Sequence, residues 1–315
     1  MLAQSAAKIF QTAVVLFIVS VASFSLLKLA PGDPVMLMLG SEFSQESYDS
    51  LQRELGLDRP FLVQYLAWLG NFMIGDWGTS FVSRADIFNF VVIEALPVTL
   101  TLTFCSIVLA IVVGIPLGVI SAIRKDTIWD TVIAVFALTG SAFPSFFLGI
   151  VLIWFLAVQF GIFPVMGFVA PWQDFWLGMY HMALPALTLS TYFIGMIVRV
   201  TRSSLIDVMD QPFIAAAKAR GEPRWRVVWV HGVRNIAMPV VTMIGLQLGG
   251  ILQGAVLTET VFSLPGIGQM LTDAVLGREY TLVQAGVMLT ATLFIVINLL
   301  VDLSYPLLDP RLRPR

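Results

Sequence analysis

Hydrophobic positions in this chain gather into long runs from which charge is absent. Six runs stand out, at residues 9–27, 95–123, 131–160, 175–198, 235–258 and 280–301. A helix needs about 20 apolar residues to cross a hydrocarbon core of roughly 30 Å, and a charge at its centre costs about 2.5–3.5 kcal/mol. The pattern predicts an all-α integral membrane protein with six transmembrane helices. The third run requires a choice, because Pro144 lies inside it and no charge appears from Thr131 to Gln173. Division at Pro144 would leave pieces of 13 and 16 residues, each too short to cross. One tilted helix kinked at the proline is the more economical prediction.

The polar stretches between the runs set the organisation. Residues 1–30 hold the first span, 31–94 a long outer segment, 95–305 the five remaining spans with a polar loop at 199–234, and 306–315 a tail. The first apolar core, 19 residues long, exceeds the roughly 7–15 of a signal peptide, and Lys28-Leu-Ala-Pro-Gly is a poor cleavage site, so an uncleaved signal anchor is expected. The outer segment carries turn signals at Pro31-Gly-Asp-Pro34 and Gly75-Asp-Trp-Gly78. Between them Phe61, Tyr65, Trp68, Leu69 and Phe72 recur near helical spacing. They predict a helix at the outer interface, with Trp68 and Trp77 at headgroup depth. An aromatic belt and a substrate-handling surface are both open readings of it.

Composition then removes alternatives. Only 12% of the 315 residues are charged and 58% are hydrophobic, against about 25% charged in soluble domains, which excludes a water-facing globule. Lys and Arg accumulate in cytoplasmic loops. With the N-terminus inside, 13 of the 18 basic residues fall on the inner side, including Lys8, Arg124, Lys125, seven in the 199–234 loop, and Arg311, Arg313 and Arg315. The acids run the other way, 13 outside and 7 inside. A seventh crossing near Pro144 would put the richest basic clusters outside and is rejected. A net charge of −2 offers no basic field for nucleic acid, and Cys105, the only cysteine, rules out a disulfide framework and reads as a packing residue.

Several chemistries lack their residues. None of the four lysines follows a glycine, so the phosphate cradle G-x-x-x-x-G-K-[ST] is missing and no ATP hydrolysis by that route is expected. The two histidines, His181 and His231, fall on opposite sides of the predicted membrane, which leaves no histidine pair or metal site, and His181 reads as a hydrogen-bonded boundary residue. An ion-coupled carrier places titratable groups near the midplane, and the predicted spans carry none there. Their polar residues Gln247, Gln253 and Asn298 fit helix-to-helix hydrogen bonding first and the lining of a path second. The spacings Gly114/Gly118, Gly245/Gly249 and Gly250/Gly254 fit close helix packing.

The 199–234 loop is ordered in its pattern. Phe213, Ala216, Ala217 and Arg220 fall at i, i+3, i+4 and i+7, which puts an alanine patch and one aromatic on a common helical face. Gly221 suits a left-handed helix end and Pro223 the start of a second helix, on which Trp225, Val228 and Trp229 share a face. A bent knob of this kind fits a partner's groove. A basic amphipathic loop resting on anionic lipid is the other reading of the same residues.

Matching segments now extend over nearly the whole chain. They are Pro31-Gly-Asp-Pro34, Leu55-Gly-Leu-Asp-Arg-Pro60 with Gln64-Tyr65, Gly75-Asp-Trp-Gly-Thr-Ser80, Leu184-Pro-Ala-Leu187, Ala215-Ala-Ala-Lys-Ala-Arg-Gly221, His231-Gly-Val-Arg-Asn235 with Pro239, the run from Glu259 to Gly268, and Asp309-Pro-Arg311. In their order and spacing the chain resembles the inner-membrane permease subunit of an ATP-binding-cassette importer, in the dipeptide, oligopeptide and nickel branch. The resemblance implies the type I importer permease fold in a bacterial inner membrane, with both termini cytoplasmic. Expected partners are a second homologous permease, two ATP-binding subunits that hold the ATP and Mg, a substrate-binding protein, and membrane lipid, with no nucleic acid. The chain itself would need no cofactor or metal and would not be an enzyme.

In that family the loop before the fifth span carries a motif whose helix docks on the ATPase subunit. The resemblance places Ala215, Ala216, Ala217, Arg220, Gly221 and Glu222 there, with Ala215 where the motif's glutamate usually stands and Arg234 where a proline is common. Leu264 and Thr281 are smaller departures. Peptide is the implied cargo, with nickel chelates, glutathione and opine-like solutes carried by similar systems. A stand-alone carrier or channel is the competing class and would need the titratable midplane group that is missing. A membrane-embedded enzyme would need a nucleophile or metal cluster at membrane depth.

Overall fold

A computed structural model of the chain describes residues 2–29, 34–39, 44–54, 56–80 and 83–308. Residues 31–33 of the first expected turn, Leu55, and residues 309–315 with Arg311, Arg313 and Arg315 lie outside the described residues. In chain order the helices are α1 (Leu2–Leu29), α2 (Pro34–Leu39), α3 (Gln45–Glu54), α4 (Phe61–Ile74), α5 (Leu96–Ile123), α6 (Ile128–Ala142), α7 (Ser145–Leu152), α8 (Phe175–Met209), α9 (Pro212–Ala219), α10 (Arg224–Arg226), α11 (Arg234–Phe262), α12 (Ile267–Leu276) and α13 (Tyr280–Leu308). Three π-helical turns, Asn89–Ala95, Ile153–Gln159 and Val227–Val233, run into α5, extend α7 and run into α11. Among the described residues there is no β-strand, only an isolated bridge between Thr79 and Asp86.

Five helices are long and apolar enough to cross a membrane, and a sixth crossing is counted if α6 and α7 form one. That pair differs from the expected kinked helix. The chain bends there by 108°. Phe143 (φ −84°, ψ 139°) and Pro144 (φ −59°, ψ 135°) are both extended, so α6 stops at Ala142 and α7 restarts at Ser145. Proline excludes its predecessor from the helical region as well as lacking a donor, and two successive extended residues do more than a kink. The sequence pattern also missed α2, α3 and α12, which are short. α3 is mostly polar and starts at Ser44, whose hydroxyl accepts the Ser47 N–H at 3.1 Å.

The chain divides into two compact units. The first holds residues 98–268 and the stretch from 297. Its central helix is α8, which packs on α6, α7 and α11. Leu184, Leu189, Phe193, Ile194 and Ile197 bury their side chains in a core shared with Val98, Leu102, Ile251 and Phe262. Glycines bring the backbones together. A Cβ at Gly114 would stand 2.9 Å from Ile197 Cβ and one at Gly118 2.6 Å from Thr201 Cβ, so α5 meets α8 along the predicted small-residue face. Cys105 packs against the same core, as expected. Near the far end of this unit the last turn of α11 carries Glu259, fully buried, just beyond the run predicted to end at 258. Its carboxylate accepts from the Thr99 hydroxyl and the Gly268 N–H, both at 2.7 Å, and the Ile267 N–H donates to Thr99 Oγ1 at 2.9 Å. Gly266 and Gly268 leave no room for a side chain beside that carboxylate.

The second unit holds residues 2–97 and 269–296. The helix predicted at 61–74 is present as α4, ended by Gly75. It packs on α1 through the Ser20 to Tyr65 hydroxyl pair at 2.7 Å and through Phe24, whose ring lies against Phe61, Tyr65 and Trp68. The aromatic row continues from Trp68 to Phe72, Trp77 and Phe88. The Ser80 hydroxyl donates to buried Glu279 at 2.7 Å, which holds the end of the α4 segment to the start of α13.

Candidate functional site

The segment between α8 and α11 lies within the first unit and is built from its turns outward. α8 does not end with its apolar run at 198 but continues to Met209. Pro212 then occupies the first turn of α9, where a missing N–H costs nothing. α9 buries Ile214 and Ala217 against Val208 and Met209 of α8 and Val227 of the following π turn. Phe213, Ala215, Ala216 and Arg220 stay exposed. Ala217, expected on the docking face, therefore turns inward, because α9 needs a small side chain where it touches α8. The exposed patch is Phe213, Ala215, Ala216 and Arg220.

At Arg220 the helix ends, and Gly221 takes φ +78°. The Gly221 N–H reaches the Lys218 carbonyl at 3.0 Å and the Glu222 N–H the Ala217 carbonyl at 3.3 Å, so the loose ends of α9 are satisfied. No atom stands within 4 Å of a Cβ added at Gly221, so a side chain there would be strained by backbone conformation and would project into open space. Glu222 closes the corner. Its carboxylate accepts from Arg220 at 2.9 Å and pairs with His231 Nε2 at 2.7 Å. The Arg220 guanidinium, and after it His231, hold this carboxyl below the usual glutamate range.

The expected second short helix is not separate. α10 runs through the π turn at 227–233 into α11, so the corner leads directly into a spanning helix. Val228 is buried, while Trp225 and Trp229 are exposed and Arg226 stacks over the Trp225 ring at 5.5 Å. Arg224 donates to the Ile123 carbonyl at the end of α5 (3.4 Å). Close by in sequence, Arg202 of α8 grips Asp130 of α6 with two bonds of 2.7 Å. Ser121 of α5 and the Asp126 N–H complete that carboxylate's partners. This tie was not anticipated; the only signal was an acid at the very edge of a charge-free run and an arginine in the loop.

The other candidates lie apart. Gln247 is half-buried beside a small hollow lined by Ala110, Phe193 and Ile251. Gln253 is exposed and Asn298 half-buried, and among the described residues none of the three side chains hydrogen bonds to another. His181 Nδ1 pairs with the Gly167 carbonyl at 3.2 Å, the bonded boundary position expected of it. Among the described residues no group of three metal-ligating side chains occurs.

Comparison with known proteins assigns the class of this chain of spanning helices and its packed, capped corner. Residues 114–314 match the family described as binding-protein-dependent transport system inner membrane component, and residues 1–103 match its N-terminal counterpart. The chain belongs to this family and is a multi-pass inner-membrane permease component of an importer of the ATP-binding-cassette type. It is similar to the dipeptide transport system permease protein DppB of Escherichia coli strain K12, with 41% identity over 94% of each chain. Similarity to the oligopeptide transport system permease protein AppB of Bacillus subtilis strain 168 is 37% over 93% of this chain and 94% of that one. A chain of the MetNI methionine ABC transporter, solved in inward-facing conformations, shares the fold. Its TM-score is 0.59 at 18% identity, covering 71% of this chain and 99% of that one.

Proposed function

We propose that this chain forms half of a pathway for short peptides and receives its motion through α9. The peptide reading rests on the names carried by DppB and AppB, each matched over more than nine-tenths of its length. The coupling reading rests on one observation. α9 presents Phe213, Ala216 and Arg220 outward while Ile214 and Ala217 lock it to the end of α8 and to the turn that starts α11. A push on α9 then moves the ends of two long helices together, and a packed interface transmits displacement because its interior cannot compress. In this arrangement the loop faces the cytoplasm, two ATPase subunits bind ATP and Mg beneath it, a second permease completes the path, and a binding protein delivers the peptide on the opposite side. The chain itself carries no catalytic group for ATP.

The test is dipeptide uptake by the assembled complex in proteoliposomes. The chain alone is expected to show no ATPase activity and no uptake, and the full complex both. Gly221→Glu, which sets a charged side chain on an open surface under backbone strain, is expected to abolish uptake while the complex still inserts. Normal uptake by that variant overturns the coupling assignment.

A further inference from the structure

We propose that the second unit holds a binding site for a zwitterionic glycerophospholipid headgroup. The site is a cavity of about 440 Å³, within the ordinary size range of ligand pockets. Its walls are aromatic, with Trp68, Phe72 and Trp77 half-buried around it. On its inner side lie Thr281 and Gln284, one turn apart on α13. Gln284 is 4% exposed, and its Nε2 and the Thr281 hydroxyl are both buried without a hydrogen-bond partner. Buried donors left unpaired cost about 1–3 kcal/mol each, a cost that a ligand's acceptor oxygens seated against these two residues would relieve. At the exposed mouth stand Arg59 and Asp76, opposite in charge and not paired with each other.

Position and charge order choose the ligand. The cavity is lined by Phe24, at the end of the apolar span Lys8–Ser25, and by the first residues of the span Tyr280–Val301. It therefore lies at the depth where phosphates and ester carbonyls meet. α4 is too short to cross, and Leu62, Leu66, Met73 and Ile74 stay exposed along it, as on a helix lying in the interface. A phospholipid such as phosphatidylethanolamine carries both charges at one end and its carbonyls beneath them. The mouth would take phosphate at Arg59 and ammonium at Asp76, and the donors of Gln284 and Thr281 would take the carbonyls. A short peptide carries its charges at opposite ends and matches this order poorly.

The assembled complex, purified in detergent and stripped of lipid, is incubated with phosphatidylethanolamine, phosphatidylglycerol or dialanine, and bound molecules are counted by native mass spectrometry. Phosphatidylethanolamine is expected to be retained, and Gln284→Leu to weaken its retention about fivefold, the loss of roughly one hydrogen bond. Asp76→Asn is expected to erase the preference over phosphatidylglycerol. Should Gln284→Leu fail to give monodisperse complex, Thr281→Val reads the second donor. Retention unchanged in these donor variants overturns the site, equal retention of both lipids by the unmodified complex overturns the headgroup assignment, and dialanine that binds through Gln284 and excludes phosphatidylethanolamine overturns the lipid reading. None of these outcomes depends on whether the transported solute is a peptide.

Discussion

At Gly118 an added Cβ would meet Thr201 Cβ at 2.6 Å and the Val198 carbonyl at 2.9 Å, and a backbone carbonyl cannot step aside. Gly118→Ala is expected to destabilise the chain by about 1–3 kcal/mol, read as a lower thermal midpoint in detergent. Gly250 faces open space, so Gly250→Ala is expected to be neutral or to stabilise by up to about 1 kcal/mol. Each glycine belongs to a pair of glycines four residues apart in the sequence, a spacing which reports that a close approach is possible and not which neighbour makes it. Glu259 teaches the converse. It is the only acid at the end of the run 235–258, and its burial depends on Thr99 and Gly268, partners 160 and 9 residues away. No local pattern encodes such a cage.

Arg202 and Asp130 join α8 to α6 outside the apolar core. Arg202→Ala leaves Asp130 nearly buried without its charge partner and is expected to cost about 1–3 kcal/mol, since the arginine is one-third exposed. A double-mutant cycle with Asp130→Ala should show strong coupling between the two positions. At the α9 corner the sign of the pH effect follows from Glu222, whose carboxyl lies below its ordinary value of 4.5. Its stabilisation is present above pH 4.5 and is lost as pH falls through the lower folded value. Protection of α9 amides, taken relative to their intrinsic exchange rates, is expected to hold from neutral pH to about that point and to fall below it, and Glu222→Gln to lower it at neutral pH but not below the folded value. Long helices were legible because twenty uncharged residues leave one solution in a bilayer. The corner was legible because Gly221 and Pro223 punctuate it. The 108° bend was not, since a proline in an apolar run signals a break without its angle, and Ala217 was placed on the wrong side because alanine is neutral between packing and exposure.

For the whole molecule, the sorting of charge is the remaining claim on orientation. With Cys105 replaced by serine, a cysteine at Lys218 is expected to react with an impermeant maleimide only in inside-out vesicles, and one at Asp58 only in right-side-out vesicles. The reverse pattern would invert the arrangement. The length of α8 adds something that the charges alone do not. Its apolar run ends at 198, and the helix continues for the residues 199–209, about 16 Å at 1.5 Å per residue. The headgroup layer takes up only about 5–7 Å of that, and the reach of a charge in physiological salt is about 8 Å. If α8 runs along the membrane normal, Lys218 of α9 and Arg220 at its end stand off at the edge of the lipid's electrostatic field. On the proposed coupling role, a partner subunit would meet this loop before the bilayer does, and the loop could be grasped and released without first being peeled from a membrane.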